Sequence, residues 1–265
     1  MAPYQHCFDC ENKSSRLVNV QQDYSVSKIP KGRGRYRFIY IPSKKWASHL
    51  RSFLPDLDSR LLELDEAQVN YGFVRDRNCV LNAFQHIGFE YSISFDLEDF
   101  FDSVSSKHLK GLLEQDIIEQ CLIDGVPRQG LPTSPVICNI AFSKCDTSIL
   151  KVLETLNVHY VYTRYADDLT ISLNDPSVIP KIKALVSSVV ASYGFKINRS
   201  KTKVQSIKNG RIIITGIGID SEVIHPTRKT LKKIRAAIHQ DNKSSLKGLS
   251  EWSKCKFPKR YIGKL

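Results

Sequence analysis

No apolar run in this 265-residue chain approaches the roughly 20 residues that a membrane-spanning helix needs, so no such span is expected. The opening Met-Ala-Pro-Tyr-Gln-His-Cys7 lacks a basic stretch followed by an apolar one, and no secretory signal is expected either. Cysteine is sparse and irregularly spaced. Seven cysteines, an odd number, argue against a disulfide framework and for a reducing compartment. Cys7-Phe-Asp-Cys10 has the spacing of half a zinc site, but no second Cys or His pair follows at a usable distance. Two free thiols are expected there. Internal repeats and low-complexity segments are also absent. A hydrophobic content of 42% with 9% aromatics is that of a folded protein.

Acidic residues are missing over one long stretch. From Lys28 to Arg51 there are eight Lys or Arg and no Asp or Glu. From His225 to Leu265 twelve Lys or Arg stand against two acids, Asp241 and Glu251, in a chain of net charge +12. Positive charge concentrated in two separated segments suits a polyanion, above all nucleic acid. The acids gather elsewhere, at Asp96, Glu98, Asp99 and Asp102.

Tyr165-Ala-Asp-Asp168 lies within an alternating apolar and polar run from His159 to Leu173, the pattern of two strands whose connecting turn is the Asp-Asp pair. Adjacent carboxylates at a turn repel each other unless a cation neutralises them. Asp96 ends another strand-like stretch, Tyr91-Ser-Ile-Ser-Phe-Asp96. Hard oxygen ligands of this kind suit Mg²⁺, or Mn²⁺ as a substitute. Two ions about 3.5–4 Å apart activate an attacking hydroxyl and stabilise a departing pyrophosphate. That is nucleotide-polymerase chemistry.

Around these motifs the pattern predicts a β-hairpin over 28–42, with Gly32 and Gly34 at its turn, and a helix over 44–53. It further predicts an amphipathic helix over 105–122 and a helix N-capped by Ser134 that runs to about Leu153. A helical stripe from Ile182 to Tyr193 ends at Gly194. Asn209-Gly210 predicts a type I′ hairpin between Val204–Ile207 and Arg211–Thr215. Leu231, Ile234, Ala237 and Ile238 predict a helix in the last basic segment. The order fits an α+β chain whose antiparallel sheet is backed by helices, the ferredoxin-like arrangement of polymerase palms.

These motifs form an ordered set that resembles bacterial reverse transcriptases, and among them the retron type, from about residue 26 to 240. Phe95-Asp-Leu-Glu-Asp-Phe-Phe-Asp102 resembles the first catalytic motif, and Tyr165-Ala-Asp-Asp168 the second. The resemblance makes Asp96, Asp167 and Asp168 the catalytic metal ligands, assisted by the Leu97 carbonyl. It makes Phe101 the ring that excludes a ribose 2′-OH. Gly125 to Pro135 resembles the glycine-rich motif that positions template and dNTP, with Gln129 on the sugar side. In the basic hairpin Lys31 and Arg37 align with residues that grip the triphosphate, with Arg35 as a rival. Lys201, in Gly194-Phe-Lys-Ile-Asn-Arg-Ser-Lys201, is a pyrophosphate acid or a phosphate contact. Asn82-Ala-Phe-Gln-His86, preceded by Tyr71-Gly-Phe73, fits the retron Asn-Ala-x-x-His motif. Ile214-Thr-Gly216 matches the motif near the primer terminus, with isoleucine where retron enzymes carry valine. RNA and primer contacts are thus expected at Asn82, His86, Thr215, Gly216, Arg228, Lys232 and Arg235.

The resemblance implies a right-hand polymerase. Residues 1–90 would be fingers with an N-terminal arm. Residues 91–218 would be palm, with an inserted fingers helix at about 105–130, and 219–265 a short basic thumb. It implies an RNA-directed DNA polymerase acting on dNTPs and a cognate structured non-coding RNA. The product would be RNA-linked single-stranded DNA, made in anti-phage defence beside a separate effector protein. The thumb is shorter than the family usually carries. Two rivals stay open: an abortive-infection type of reverse transcriptase with different priming, and a non-catalytic RNA-binding scaffold.

Overall fold

The computed structural model describes residues 22–32 and 34–256. The Cys7–Cys10 pair and most of the N-terminal arm lie outside these residues. The basic hairpin is present, formed by β1 (Tyr24–Gly32) and β2 (Arg35–Pro42), with Gly32 and Gly34 both at positive φ in its turn. Ser43 caps α1 (Lys44–Ser52) by accepting from the Trp46 amide, and Pro55 opens α2 (Leu54–Leu64). Asn78 caps the short α3 (Cys79–Phe84) in the same way.

The central sheet contains β3 (Tyr91–Asp96), β4 (Tyr160–Tyr165), β5 (Asp168–Leu173) and β6 (Lys203–Ser206). Their spatial order is β4-β5-β3-β6, and every neighbouring pair is antiparallel. Between β3 and β4 the chain forms α4 (Phe100–Ser103), α5 (Ser106–Leu109), α6 (Gln115–Cys121) and the long α7 (Ser134–Glu154). The helix α8 (Ile179–Ser192) crosses from β5 to β6. This is the ferredoxin-like order expected from the sequence.

Strand alternation gives the sheet two unlike faces. Ile93, Phe95, Leu169 and Ile171 point into one core with Ile137, Ile140 and Phe142 of α7 and Ile182, Val186 and Val190 of α8. Positions of opposite parity carry hydroxyls, and Ser92, Thr163, Thr170 and Ser172 are buried on that second face. Asp96 and Asp168 share the parity of the hydroxyl face, so the pleat itself keeps both carboxylates out of the apolar core.

A smaller sheet follows, of β7 (Ile212–Ile214), β8 (Ile217–Ile219) and β9 (Ile224–Pro226), then α9 (Arg228–His239) and α10 (Lys243–Ser253). Ile212, Ile214, Ile217 and Ile219 pack with Cys79, Val80 and Ala83 of α3 in a second core.

Several local expectations are corrected. The helix over 105–122 is two short helices, because the chain turns at Gly111 (φ 76) between them. Thr133 rather than Ser134 stands at the N-cap position of α7, without a side-chain capping bond, and Ser134 donates its hydroxyl to the Arg128 carbonyl. No hairpin forms at Asn209-Gly210. A 3-10 turn at Ile207–Asn209 carries the chain from β6, in the central sheet, to β7, in the small one. The Gln205 side chain joins the two by bonding both the N–H and the carbonyl of Ile213. Position 218, the expected palm–thumb boundary, lies within β8. On α9 Ala237 is buried, but Leu231 and Ile238 are exposed, so the apolar stripe read there is only partly covered. All five cysteines among the described residues are buried and unpaired. No described helix is long and apolar enough to cross a membrane.

Candidate active site

Asp96 and Asp168 are register partners at the same end of β3 and β5. The turn between β4 and β5 is Ala166-Asp167, since Asp168 already belongs to β5 and pairs with Tyr165. This corrects the expectation that both aspartates form the turn. The Leu97 amide donates to the Asp167 carbonyl at 3.0 Å, which ties the residue after Asp96 to the turn. On the other side of β3, the Asn198 amide donates to the Asp96 carbonyl at 2.7 Å. The three carboxylates singled out in the sequence are therefore brought together.

Their electrostatics are those of concentrated negative charge. Burial and then the charges of Asp167 and Asp96 push the Asp168 carboxyl up to about 6. Asp167 is raised too, first by burial and then by Asp96, against the pull of Lys201 and Arg37. Lys201 Nζ lies 2.8 and 2.9 Å from the two oxygens of Asp96, and these bonds raise the pKa of its ammonium. Among the described residues no three His, Cys, Asp or Glu side chains stand as a ready-made coordination shell. The donors nevertheless fit a hard divalent cation: three carboxylates, two of them raised by burial and then by neighbouring negative charge, with the third already drawing an ammonium.

Other expected site residues lie around this centre. Arg37 on the hairpin is near enough for its charge to act on Asp167, and Lys31 Nζ is 3.6 Å from Asp99. The hairpin is docked by the Tyr40 amide, which donates to the Gln129 carbonyl at 2.7 Å. Gly130, at φ 108, has no room for a side chain there: a Cβ would lie 2.3 Å from the Tyr40 carbonyl oxygen. Phe101 is half-buried, edge-on to the exposed ring of Phe73 at 6.5 Å between centroids. The Thr215 hydroxyl donates to the Cys79 carbonyl and accepts from Asn82 Nδ2 at 3.4 Å. Gly216, at φ 81, lies beneath Trp252 of α10. Arg228, Lys232 and Arg235 form one exposed stripe along α9, spaced by four and three residues.

Two expectations need correction. His86 is fully buried, with Nδ1 bonded to the Ser172 hydroxyl at 2.9 Å and Nε2 to the Thr163 hydroxyl at 2.7 Å. Burial pushes its pKa down to about 3, so it is neutral. Asn82 is 1% exposed. Neither has a surface to offer an RNA strand: His86 ties the chain just after α3 to β4 and β5, and Asn82 bonds the Thr215 hydroxyl.

The sequence reading missed a buried cluster behind the turn. Arg164, at a core-facing position of β4, forms an ion pair with Asp146 of α7, and both side chains are almost wholly enclosed (1% and 7% exposed). Asn139 and Gly72 adjoin it. The only signal in the sequence is parity: Arg164 alternates with Tyr162, which faces the core.

The sequence profile described as "Reverse transcriptase (RNA-dependent DNA polymerase)" matches residues 29–230. The chain is similar to the Retron Ec86 reverse transcriptase of Escherichia coli, at 32% identity over 82% of this chain and 68% of that protein. It is also similar to the Retron Mx65 reverse transcriptase of Myxococcus xanthus, at 30% identity over 83% of this chain but 56% of the relative, so it spans little more than half that protein's length. Among solved structures, telomerase from Candida albicans, in complex with a fragment of telomeric RNA, has a TM-score of 0.57. It shares 15% identity over 78% of this chain and 46% of the telomerase. Apo telomerase from Candida tropicalis, truncated from its C-terminal domain, gives 0.57 at 17% identity over 78% and 55%. At such identities the likeness is one of fold, and the fold is that of right-hand polymerases.

Proposed function

Because this chain belongs to the retron-type reverse transcriptases, we propose that it is an RNA-directed DNA polymerase that extends a primer hydroxyl along an RNA template. The observation that carries the reading is the pairing of Asp96 with Asp168 across the sheet, with Asp167 bonded to Leu97 beside them. A cluster of raised carboxylates below a basic hairpin is the charge distribution that a triphosphate and its counter-ions require.

Asp96, Asp167 and Asp168, with the Leu97 carbonyl, would hold two Mg²⁺ ions, for which Mn²⁺ could substitute. When bound, such ions lower the pKa of the attacking hydroxyl and neutralise the departing pyrophosphate. The chain's own residues bind and orient. Arg37 and Lys31 approach the triphosphate from the hairpin. Gln129 and Phe101 border the sugar, and the Phe101 ring leaves no space for a 2′-OH, selecting dNTPs. Lys201 exchanges its bond to Asp96 for the leaving phosphate, to which it delivers a proton. Thr215 and Gly216 support the primer end. Arg228, Lys232 and Arg235 track phosphates of the RNA–DNA duplex, a contact that weakens with salt.

The retron relationship extends the proposal to the RNA itself. A structured non-coding RNA would serve as template and would prime from a guanosine 2′-OH. The product is then RNA-linked single-stranded DNA, and the physiological setting is anti-phage defence with a separate effector in the cytoplasm. Asp167→Asn tests the catalytic core: DNA synthesis should be abolished while RNA affinity, measured in chelator, stays within twofold. Unchanged synthesis rejects the reading. A nuclease-resistant branch cleaved by debranching enzyme supports the retron product; a linear product favours the abortive-infection type.

A further inference from the structure

The turn bearing Asp167 and Asp168 does not rest in a relaxed backbone. Ala166 is held at φ 57, in the left-handed region that non-glycine residues enter only when their surroundings compel it. Those surroundings come from three separate pieces of chain. Arg164 Nη1 donates to the Ala166 carbonyl at 3.2 Å and to Asn139 Oδ1 at 2.8 Å. Asn139 in turn donates from Nδ2 to the Gly72 carbonyl at 2.8 Å. The Gly72 backbone then closes on the turn, since a Cβ built there would lie 2.3 Å from the Ala166 nitrogen.

The guanidinium is itself fixed. Nε and Nη2 meet the Asp146 carboxylate at 2.8–3.1 Å, and the Tyr162 hydroxyl donates to the same carboxylate at 2.6 Å. The segment carrying Gly72 is held independently of the arginine side chain. The backbone of residue 164 accepts from the Tyr71 amide and donates to the Val69 carbonyl, while Asp65 accepts from the Val69 amide and pairs with Arg77.

A buried ion pair is a poor device for stability, because apolar residues of similar volume often do as well. A planar fork with five donors does something apolar residues cannot: it sets directions. Here two of its nitrogens lock onto Asp146 and the third spans Asn139 and the turn. We propose that Gly72, Asn139 and Arg164, with Asp146 as counter-ion, form a bracket that sets the position of the 165–168 turn against β3. They are therefore positioning residues for nucleotidyl transfer. The chemistry of this proposal rests on the polymerase reading; its geometry does not. The bracket also reaches the sugar side of the site, because Phe73, next to Gly72, lays its ring against Phe101.

Removing Arg164 or Asp146 alone would strand the partner's charge in the core and unfold the chain, so neither makes the test. Gly72→Ala does, since it leaves every side chain of the bracket in place and wedges the turn directly. Asn139→Leu cuts the relay at similar volume, and Arg164→Lys keeps the charge but loses the fork. For all three, circular dichroism and Tm report the fold, and affinity for a template–primer in chelator reports nucleic-acid binding. Amide exchange compares residues 165–168 with the small sheet β7–β9. The expectation is a Tm within a few degrees of the parent and affinity within twofold. Exchange at 165–168 accelerates at least tenfold with no change in β7–β9, and DNA synthesis by Gly72→Ala drops about 10²-fold, the cost of a reacting group misplaced by about 1 Å. Parental exchange at the turn in both Gly72→Ala and Asn139→Leu overturns the bracket, as does a loss of synthesis no greater than the loss of folded protein. If the parent chain makes no DNA, the polymerase reading fails while the exchange comparison still decides the bracket.

Discussion

Lys201 places its ammonium against both oxygens of Asp96, at 2.8 and 2.9 Å, on the carboxylate proposed to turn toward a metal ion. The lysine is largely solvent-exposed and Asp96 is not, so the pair is weak as a structural bond but well placed as a competitor.

Lys201→Met should therefore separate two effects. The Mg²⁺ concentration for half-maximal synthesis falls, because Asp96 no longer has a rival cation. The maximal rate falls by about 10²-fold if the lysine protonates the leaving group, the low end of general-acid effects. An Mg²⁺ titration of initial rates reads both, and an unchanged maximal rate rules out the acid role.

Asp168 makes the site sensitive to pH. Its surface is open on one side, yet burial of the carboxyl and two neighbouring charges raise it from the ordinary 3.8 to about 6. A carboxyl raised on folding contributes stability that is complete below about pH 4 and lost as pH rises through about 6. Asp168→Asn should thus raise the Tm of metal-free protein at pH 8 and leave it nearly unchanged at pH 4. With divalent metal present the parent should lose synthesis as pH falls through about 6, because the proton and the cation compete for the same oxygens. A Tm gain confined to pH 4 contradicts the assignment.

Gly130→Ala targets the seat of the fingers hairpin. The new methyl would meet the Tyr40 carbonyl oxygen at 2.3 Å and the Ile39 side chain at 2.9 Å, at a φ of 108 that alanine resists. The hairpin carrying Lys31 and Arg37 should lift, raising the KM for dNTP at least tenfold with little change in RNA affinity. Most of the hairpin is exposed, so Tm should move little. Steady-state kinetics at saturating template–primer provide the check, and an unaltered KM refutes the docking role.

His86→Leu tests the correction made to its role. Two buried hydroxyls lose their partner, at a cost of about 2–4 kcal/mol in stability. RNA affinity per folded molecule should not change. The parent histidine, lowered to about 3, contributes stability that is whole above about pH 6.5 and lost as pH falls toward 3. Denaturant melts between pH 4 and 7 should show a shallower acid decline in the variant.

The convergence of the three aspartates follows a period of two. Asp96 closes β3 and Asp168 opens β5, and their shared parity puts them on one face, although the sequence pattern places Asp168 in the turn. Asp167 came with them as the next residue in the chain. The ferredoxin-like order was legible from the sequence of strand and helix patterns. What stayed hidden depends on partners distant in the chain. Asn209-Gly210 has every local mark of a hairpin, but Ile212 and Ile214 find a better neighbour in α3, so β7 leaves the central sheet. Asn82 and His86 match a motif, yet no motif says whether a polar side chain faces water or a neighbouring hydroxyl. Arg164 looks outward-facing by chemistry and inward-facing by parity. Its answer lies in Asp146, 18 residues earlier on a helix whose pattern otherwise reads as apolar.

The pairing of Asp96 with Asp168 also limits how such a site can change over generations. Strand pairing moves only in whole residues, and a slip of one would exchange Asp168 for Leu169, burying a carboxylate and baring a leucine. Inserting or deleting a single residue between Tyr160 and Leu173 should therefore abolish DNA synthesis rather than retune it.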